Sequence, residues 1–140
     1  MLLWSEEHAT DRGAVGGVVS LVSRGSLVRL GEEAAASRPV DGRRFRMTFE
    51  VDGVAPHTED EWIGGTVRLG SATIEVTGDV GRCLVTSYDP DTGVTDLDTL
   101  GILARYRRDG HTAPLPFGVF CSVTTPGRVS VGDAVVPSTV

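Results

Sequence analysis

No stretch of this chain approaches the ~18 consecutive apolar residues that would suggest a membrane span. Its first residues, Met-Leu-Leu-Trp-Ser-Glu-Glu, lack the basic segment and apolar core of a secretion leader. A cytoplasmic protein without a membrane partner is therefore expected. Cysteine is scarce: Cys83 and Cys121 are the only two. They could form one bridge, but without a leader two free thiols in a reducing compartment are the expectation. Positive charge is also short, with 13 Lys and Arg against 19 Asp and Glu and a formal net charge of −6. That balance argues against a protein that tracks nucleic-acid phosphates, whose affinity would come from clustered cations. The histidines, His8, His57 and His111, have no metal-ligand spacing, and no nucleophile-elbow motif is present. Internal repeats, low-complexity segments and flavin or iron–sulfur motifs are missing as well.

What is present suffices for one domain with a real core: 140 residues, 40 % of them hydrophobic. The domain is expected over residues 14–140. Residues 1–13 show neither helical nor strand periodicity and are read as a loosely held arm. Residues 15–23 are β-branched and nearly continuous in apolar character, which predicts a buried strand. A helix follows, with Ser26 as N-cap, Leu27 and Leu30 three apart, and Ser37-Arg38-Pro39 as its end. Residues 45–51 alternate, with Phe45, Met47, Phe49 and Val51 on one face and Arg44, Arg46, Thr48 and Glu50 on the other. Residues 58–62, acidic after Thr58, suit a short helical turn. Residues 66–69 and 72–76 form a hairpin around Gly70-Ser71. Residues 80–87 read as a strand carrying Cys83, broken by Asp89-Pro90-Asp91-Thr92-Gly93. Asp96 caps a helix over residues 97–108, and residues 117–123, 128–131 and 134–136 are further strands. About seven short strands and two helices point to a mainly β protein with minor α, an antiparallel or mixed barrel with helices at its ends.

The stretch Gly81-Arg82-Cys83-Leu84-Val85-Thr86-Ser87-Tyr88-Asp89-Pro90-Asp91-Thr92-Gly93 resembles the cysteine-bearing segment of MOSC domains. These are β-barrel domains of molybdenum cofactor sulfurases and amidoxime-reducing molybdenum enzymes. Further matches come in the same order: Val19-Ser-Leu-Val-Ser23 with Ser26-Leu27, Asp41-Gly-Arg-Arg-Phe-Arg46, Glu59-Asp-Glu-Trp-Ile-Gly64, Leu115-Pro-Phe-Gly118 and Pro126-Gly-Arg-Val-Ser-Val-Gly-Asp133. The resemblance covers roughly residues 14–137. It implies a MOSC-like barrel, binding of the molybdenum cofactor (molybdopterin), and at family level pyridoxal phosphate binding. Longer relatives carry β-structure ahead of the matched region, so this chain resembles a minimal version. A barrel short of strands exposes edges, and a homodimer or a partner chain covering them is expected.

Cys83 is the foremost candidate for chemistry. A thiolate is a soft, strongly donating metal ligand, and a neighbouring cation such as Arg82 favours the thiolate form. The alternative is a buried Cys serving as a small hydrophobe; the resemblance implies the molybdenum ligand. Arg44, Arg46 and Arg82 could hold an anionic cofactor through their guanidinium forks. Strict alternation would put Arg82 opposite Cys83, so a bulge or strand end is needed for both to face one site. Ser23, Arg24 and Ser26 resemble the stretch that contacts the pterin phosphate, and a helix N-terminus attracts anions; a simple capped helix is the other reading. Thr48 stands where molybdenum-binding relatives carry Asn, after Met47 in place of Pro. Thr86 either touches the cofactor or pairs across strands. Asp89-Pro90-Asp91-Thr92-Gly93 is a turn rather than a calcium loop, the Arg105–Arg108 cations complement a helix end, and Cys121 belongs to the core. Three functions follow: reduction of N-hydroxylated substrates or cofactor-sulfur handling, with electrons from a separate donor protein; a metal-free persulfide carrier at Cys83; or a non-catalytic binding module.

Overall fold

A computed structural model describes residues 2–5, 18–36 and 40–138. Seven strands form one sheet in the order β1-β3-β2-β6-β5-β4-β7, curled into a half-barrel. The strands are β1 (Leu2–Ser5), β2 (Val18–Ser23), β3 (Phe49–Val51), β4 (Thr66–Leu69), β5 (Ala72–Gly81), β6 (Pro116–Thr125) and β7 (Val135–Ser138); the helices are α1 (Arg24–Glu33) and α2 (Thr99–Tyr106). β2 runs parallel to β3, and every other pairing is antiparallel. The expected mainly β architecture with two helices is what forms. β1 lies within the stretch read as a loose arm and pairs with β3; residues 6–13 lie outside the described residues.

Apolar side chains cover both faces of the sheet. Leu21, Val51, Val67, Ile74, Val119 and Cys121 pack on one face. On the other, Val22, Phe45, Val80 and Phe117 meet Leu27 and Leu30 of α1 and Ile102 and Leu103 of α2. Successive residues Leu21 and Val22 therefore serve opposite faces, as the two-residue period of a strand requires. Each such buried side chain contributes roughly 1.5–3 kcal/mol, which is what holds two short helices against the sheet.

Five expected elements differ in ways that bear on function. The strand over residues 45–51 is realised only at Phe49–Val51, because Gly42–Phe45 is a 3-10 turn capped by Asp41 and Arg46 adopts a left-handed backbone with φ 51°. This kink sends Phe45 and Met47 to the helix side and Phe49 and Val51 to the other face, so the four do not share one. The Cys83 strand ends at Gly81, and Leu84–Ser87 is a 3-10 turn. Helix α1 is capped by Ser23, whose Oγ accepts from Ser26 N, and α2 by Asp98, three residues before Gly101 N. Asp96 is left free for another partner. The expected strand over 128–131 is instead a turn in which Ser130 N donates to Asp133 Oδ2 (2.7 Å).

Candidate functional site

Cys83 sits two residues beyond the end of β5, on extended backbone (φ −126°, ψ 176°), and is exposed. The turn that follows is pinned from inside. Thr86 N and Oγ1 both donate to Cys83 O (3.2 and 2.9 Å), Ser87 Oγ donates to Leu84 O (2.6 Å), and Thr99 Oγ1 of α2 donates to Thr86 O (3.0 Å). Thr86, Ser87 and Thr99 are all buried. The hydroxyl of Thr86, expected to touch a cofactor or pair across strands, thus fixes the Cys83 backbone. The chain that follows Cys83 shows apolar side chains to solvent: Leu84 is 60 % exposed and Val94 59 %, and Val85 and Tyr88 are exposed as well.

Arg82 points inward. Its Nε and Nη2 donate to Phe117 O (2.9 and 2.6 Å), Nη1 to Phe45 O (3.1 Å) and Nη2 to Met47 Sδ (2.9 Å), while the guanidinium lies 5.0 Å from the Phe45 ring centroid. Arg82 was expected to contact a cofactor; its guanidinium is engaged by the protein itself. Both outer edges of the fork are spent on backbone oxygens and a thioether, so Arg82 is a strut. It ties the segment that carries Arg46 to the strand end that carries Cys83. Gly118, at φ 83°, makes this possible: a Cβ there would collide with Met47 Cε and sit 3.0 Å from Leu21 O.

The other expected ligand residues divide in two. Arg46 is exposed and, among the described residues, its guanidinium has no hydrogen-bond or ion-pair partner. Arg24, the first residue of α1, is exposed and acts electrostatically on Glu50. The Arg44 side chain is 8 % exposed and paired to Asp96 at 2.8 Å, so Arg44 and Arg46 do not point the same way, contrary to the alternation reading. Thr48 is turned to β2: Ser20 N donates to Thr48 Oγ1 and Thr48 N to Ser20 Oγ, both at 3.0 Å. That reciprocal pair extends the β2–β3 pairing where regular strand geometry stops, and it engages the Thr48 hydroxyl that was expected at a cofactor.

Ser23 and Ser26 form the N-terminus of α1, where an anion was expected, and an acidic side chain is there: the carboxyl group of Glu59. Glu59 Oε1 accepts from Ser23 N (3.1 Å) and Ser26 Oγ (2.6 Å), and Ser26 Oγ in turn accepts from His57 N (2.8 Å). All three of Ser23, Ser26 and Glu59 are fully buried. The positive helix end that suited a phosphate is occupied by the protein's own side chain, and the two serines expected to meet a pterin phosphate are engaged there. Burial raises the Glu59 carboxyl above its ordinary value, opposed by the hydrogen bonds from Ser26 and Ser23. Its second oxygen accepts nothing among the described residues.

Other buried polar groups were not anticipated. His57, in a left-handed conformation, contacts Tyr106 Oη through Nε2 (3.2 Å); burial first, then Arg107 and Arg29, pushes its pKa down to about 3. It is neutral near pH 7. Arg107 pairs with Asp60 and donates to Pro116 O (3.1 Å), and Asp79 is clamped by Thr112 through two hydrogen bonds of 2.8 Å. Each link joins residues far apart in the chain, and composition offered no signal for them. Cys121 is fully buried, and burial pushes its thiol up to about 12, as a core cysteine should be. No group of three His, Cys, Asp or Glu able to hold a metal occurs among the described residues; Cys83 is an exposed free thiol. These 140 residues contain no lysine, hence no side-chain amine for a Schiff base with pyridoxal phosphate. No described helix is long and apolar enough to cross a membrane.

Comparisons agree with this architecture. The MOSC domain family model matches residues 9–136. Mitochondrial amidoxime-reducing component 1 of Mus musculus is 32 % identical over 105 residues, 70 % of this chain and 30 % of that protein. The Xenopus laevis protein of the same name is 30 % identical over 125 residues, 84 % of this chain and 35 % of that one. Mitochondrial amidoxime reducing component 2 of Rattus norvegicus is 31 % identical over 125 residues, 84 % and 36 % respectively. The chain spans about a third of the length of these relatives. Among solved structures, YiiM from Geobacillus stearothermophilus superposes with a TM-score of 0.59 at 18 % identity, over 86 % of this chain and 54 % of that one. YiiM from Escherichia coli gives 0.59 at 19 %, over 93 % and 66 %; at such identities the likeness is one of fold. By its fold, by a family match along nearly its whole length and by relatives at 30 % identity or more, this chain belongs to the MOSC domain family.

Proposed function

We propose that this chain is a molybdenum-cofactor-binding MOSC unit in which the Cys83 thiolate is the protein's ligand to the metal. The observation that carries the reading is the exposed sulfur on a rigidly pinned loop. A soft ligand that other protein groups leave accessible suits a soft or high-valent metal. Arg46, exposed and unpaired among the described residues, supplies the cation for an anionic cofactor, with Arg24 a second exposed cation at the start of α1. The donor set fits the metal and an anionic body. It does not fit a phosphate at the N-terminus of α1, where Glu59 already lies. When bound, the cofactor supplies two-electron reduction, in keeping with relatives named for amidoxime reduction. The chain's own part is to present the thiolate, hold it still through Thr86 and Ser87, and neutralise the cofactor's negative charge. An N-hydroxylated substrate and a separate electron-donor protein complete this reading.

Elemental analysis of chain produced in a cofactor-competent host tests it. Cys83→Ser is expected to lower bound molybdenum by more than about tenfold, since even outer-shell changes cost that much. Its melting temperature stays within about 1 °C, because an exposed side chain contributes little to stability. Undiminished molybdenum in the serine variant overturns the reading. Metal-free protein carrying one extra sulfur atom on Cys83 overturns it in favour of the persulfide carrier. The sheet ends at β1 and β7, and a second copy or a partner chain covering an edge is part of the proposal. Light scattering that returns the mass of a single chain at all concentrations, with no partner added, counts against the homodimer.

A further inference from the structure

The structure assigns Arg44 a second role: we propose that it is an oxyanion-recognition residue held in reserve by Asp96, and that residues 88–96 form a strap which a phosphate-class anion releases. This deepens the functional reading above, on which it rests only for the importance of the ground beside Cys83. Arg44 belongs to the 3-10 turn Gly42–Phe45, and its side chain is 8 % exposed. Only Nη2 is engaged, and Asp96 meets it with both oxygens at 2.8 Å. Nε and Nη1 are buried and, among the described residues, have no acceptor.

A guanidinium offers two two-pronged edges, Nε with Nη2 and Nη1 with Nη2. Nη2 is common to both. Asp96, with both oxygens on that one nitrogen, satisfies neither edge, and any two-pronged anion must take Nη2 from it. A tetrahedral oxyanion is the chemistry that fits such a fork. Asp41 and Asp89 also feel the field of Arg44; these carboxylates oppose an incoming anion, and the opposition is least once Asp96 has left.

Asp96 ends a closed turn. Tyr88 and Thr95 bridge it, Asp89 N donates to Val94 O (2.8 Å), and Gly93 N donates to Asp89 O (2.8 Å). A second tie comes from the adjacent arginine: Arg43 Nη1 and Nη2 donate to the two oxygens of Asp91, each at 3.0 Å. Both partners of that pair are exposed, and exposed pairs hold weakly. The backbone closes the strap where Asp96 N donates to Ser87 O (3.1 Å); of its side-chain ties, the contact on the largely buried guanidinium is the one that governs it. Tyr88 and Val94 face solvent, so little apolar burial opposes release. The strap continues directly from the turn after Cys83, and its release alters access to the thiol.

The test uses the metal-free full chain, titrated calorimetrically with inorganic phosphate and, in parallel, with phenyl phosphate. Amide exchange of residues 88–96 is followed in the same samples. Asp96→Asn is expected to bind phosphate about tenfold more tightly than the unaltered chain, Asp91→Asn to differ by no more than about twofold, and Arg44→Gln and Arg44→Lys to lose binding. In the unaltered chain, saturating phosphate speeds exchange across 88–96. Tighter binding of the ester points to the phosphate end of a larger ligand and tighter binding of inorganic phosphate to the free ion; both support the proposal. Equal affinity of Asp96→Asn and the unaltered chain, retained binding in folded Arg44→Gln, or exchange unmoved by phosphate each overturn it. Because no metal is present, a flat phosphate series leaves the molybdenum assay standing, and a failed molybdenum assay leaves this one standing.

Discussion

Arg82→Ala is expected to destabilise the fold by about 3 kcal/mol, more than any other change near Cys83, since hydrogen bonds from a charged donor contribute roughly 1.5–3 kcal/mol each and do not add fully. The substitution removes four such contacts and the guanidinium over the Phe45 ring. Phe45 and Phe117 stack with centroids 4.4 Å apart, so their carbonyls and rings loosen together. Arg82→Lys keeps the charge but has a single nitrogen for three widely placed acceptors, and more than half of the loss should remain. Urea unfolding measures both. A change below about 0.5 kcal/mol, the range of ordinary surface substitutions, would show that the strut is incidental. Faster amide exchange at residues 83–87 in Arg82→Lys, at concentrations of urea where the core stays folded, is the accompanying local sign.

Glu59 provides the second large effect. Glu59→Ala leaves Ser23 N and Ser26 Oγ facing a void at a buried helix end, and a loss of about 3 kcal/mol is expected for donors stranded in this way. Glu59→Gln keeps an oxygen for the same donors and separates geometry from charge. Because burial raises the folded carboxyl above its ordinary value of 4.5, the folded state binds this proton more tightly than the unfolded chain does. The resulting stability is fully present below pH 4.5 and is lost as pH rises through the folded value. His57 works in the opposite sense: its folded value of about 3 lies below the ordinary 6.5, so stability from it is lost as pH falls through that interval. Subtracting the Glu59→Gln profile from that of the unaltered chain isolates the carboxyl. The difference should slope downward with rising pH above 4.5, and an upward slope would mean that hydrogen bonding, not burial, dominates its environment.

These two residues show why the site was harder to read than the fold. Arg82 stands beside Cys83 in sequence, and proximity suggested that it serves the thiol. Its acceptors come from residues 35 and 37 positions away, and the strand end at Gly81 turns it inward. Glu59 was legible as part of an acidic helical turn, which forms at Thr58–Trp62. That its carboxylate reaches the end of another helix, 33 residues from Ser26, has no local signature. Asp96 looked like a helix cap because it precedes an apolar period; Asp98 has the spacing to Gly101 N that a cap needs, and Asp96 pairs with Arg44 across 52 residues.

The family came from the resemblance of six ordered motifs; local pattern by itself determined the mainly β architecture, most of the strands, the buried identity of Cys121 and the turn over residues 89–93. Each of these depends on neighbours one to four residues apart, where alternation, capping and turn chemistry act. Tertiary structure alone decided which charged and hydroxyl groups remain free for a ligand. A polar side chain settles on whichever partner packing brings within reach, and for Ser23, Ser26, Thr48 and Arg82 that partner is the protein, while for Cys83 and Arg46 it is solvent.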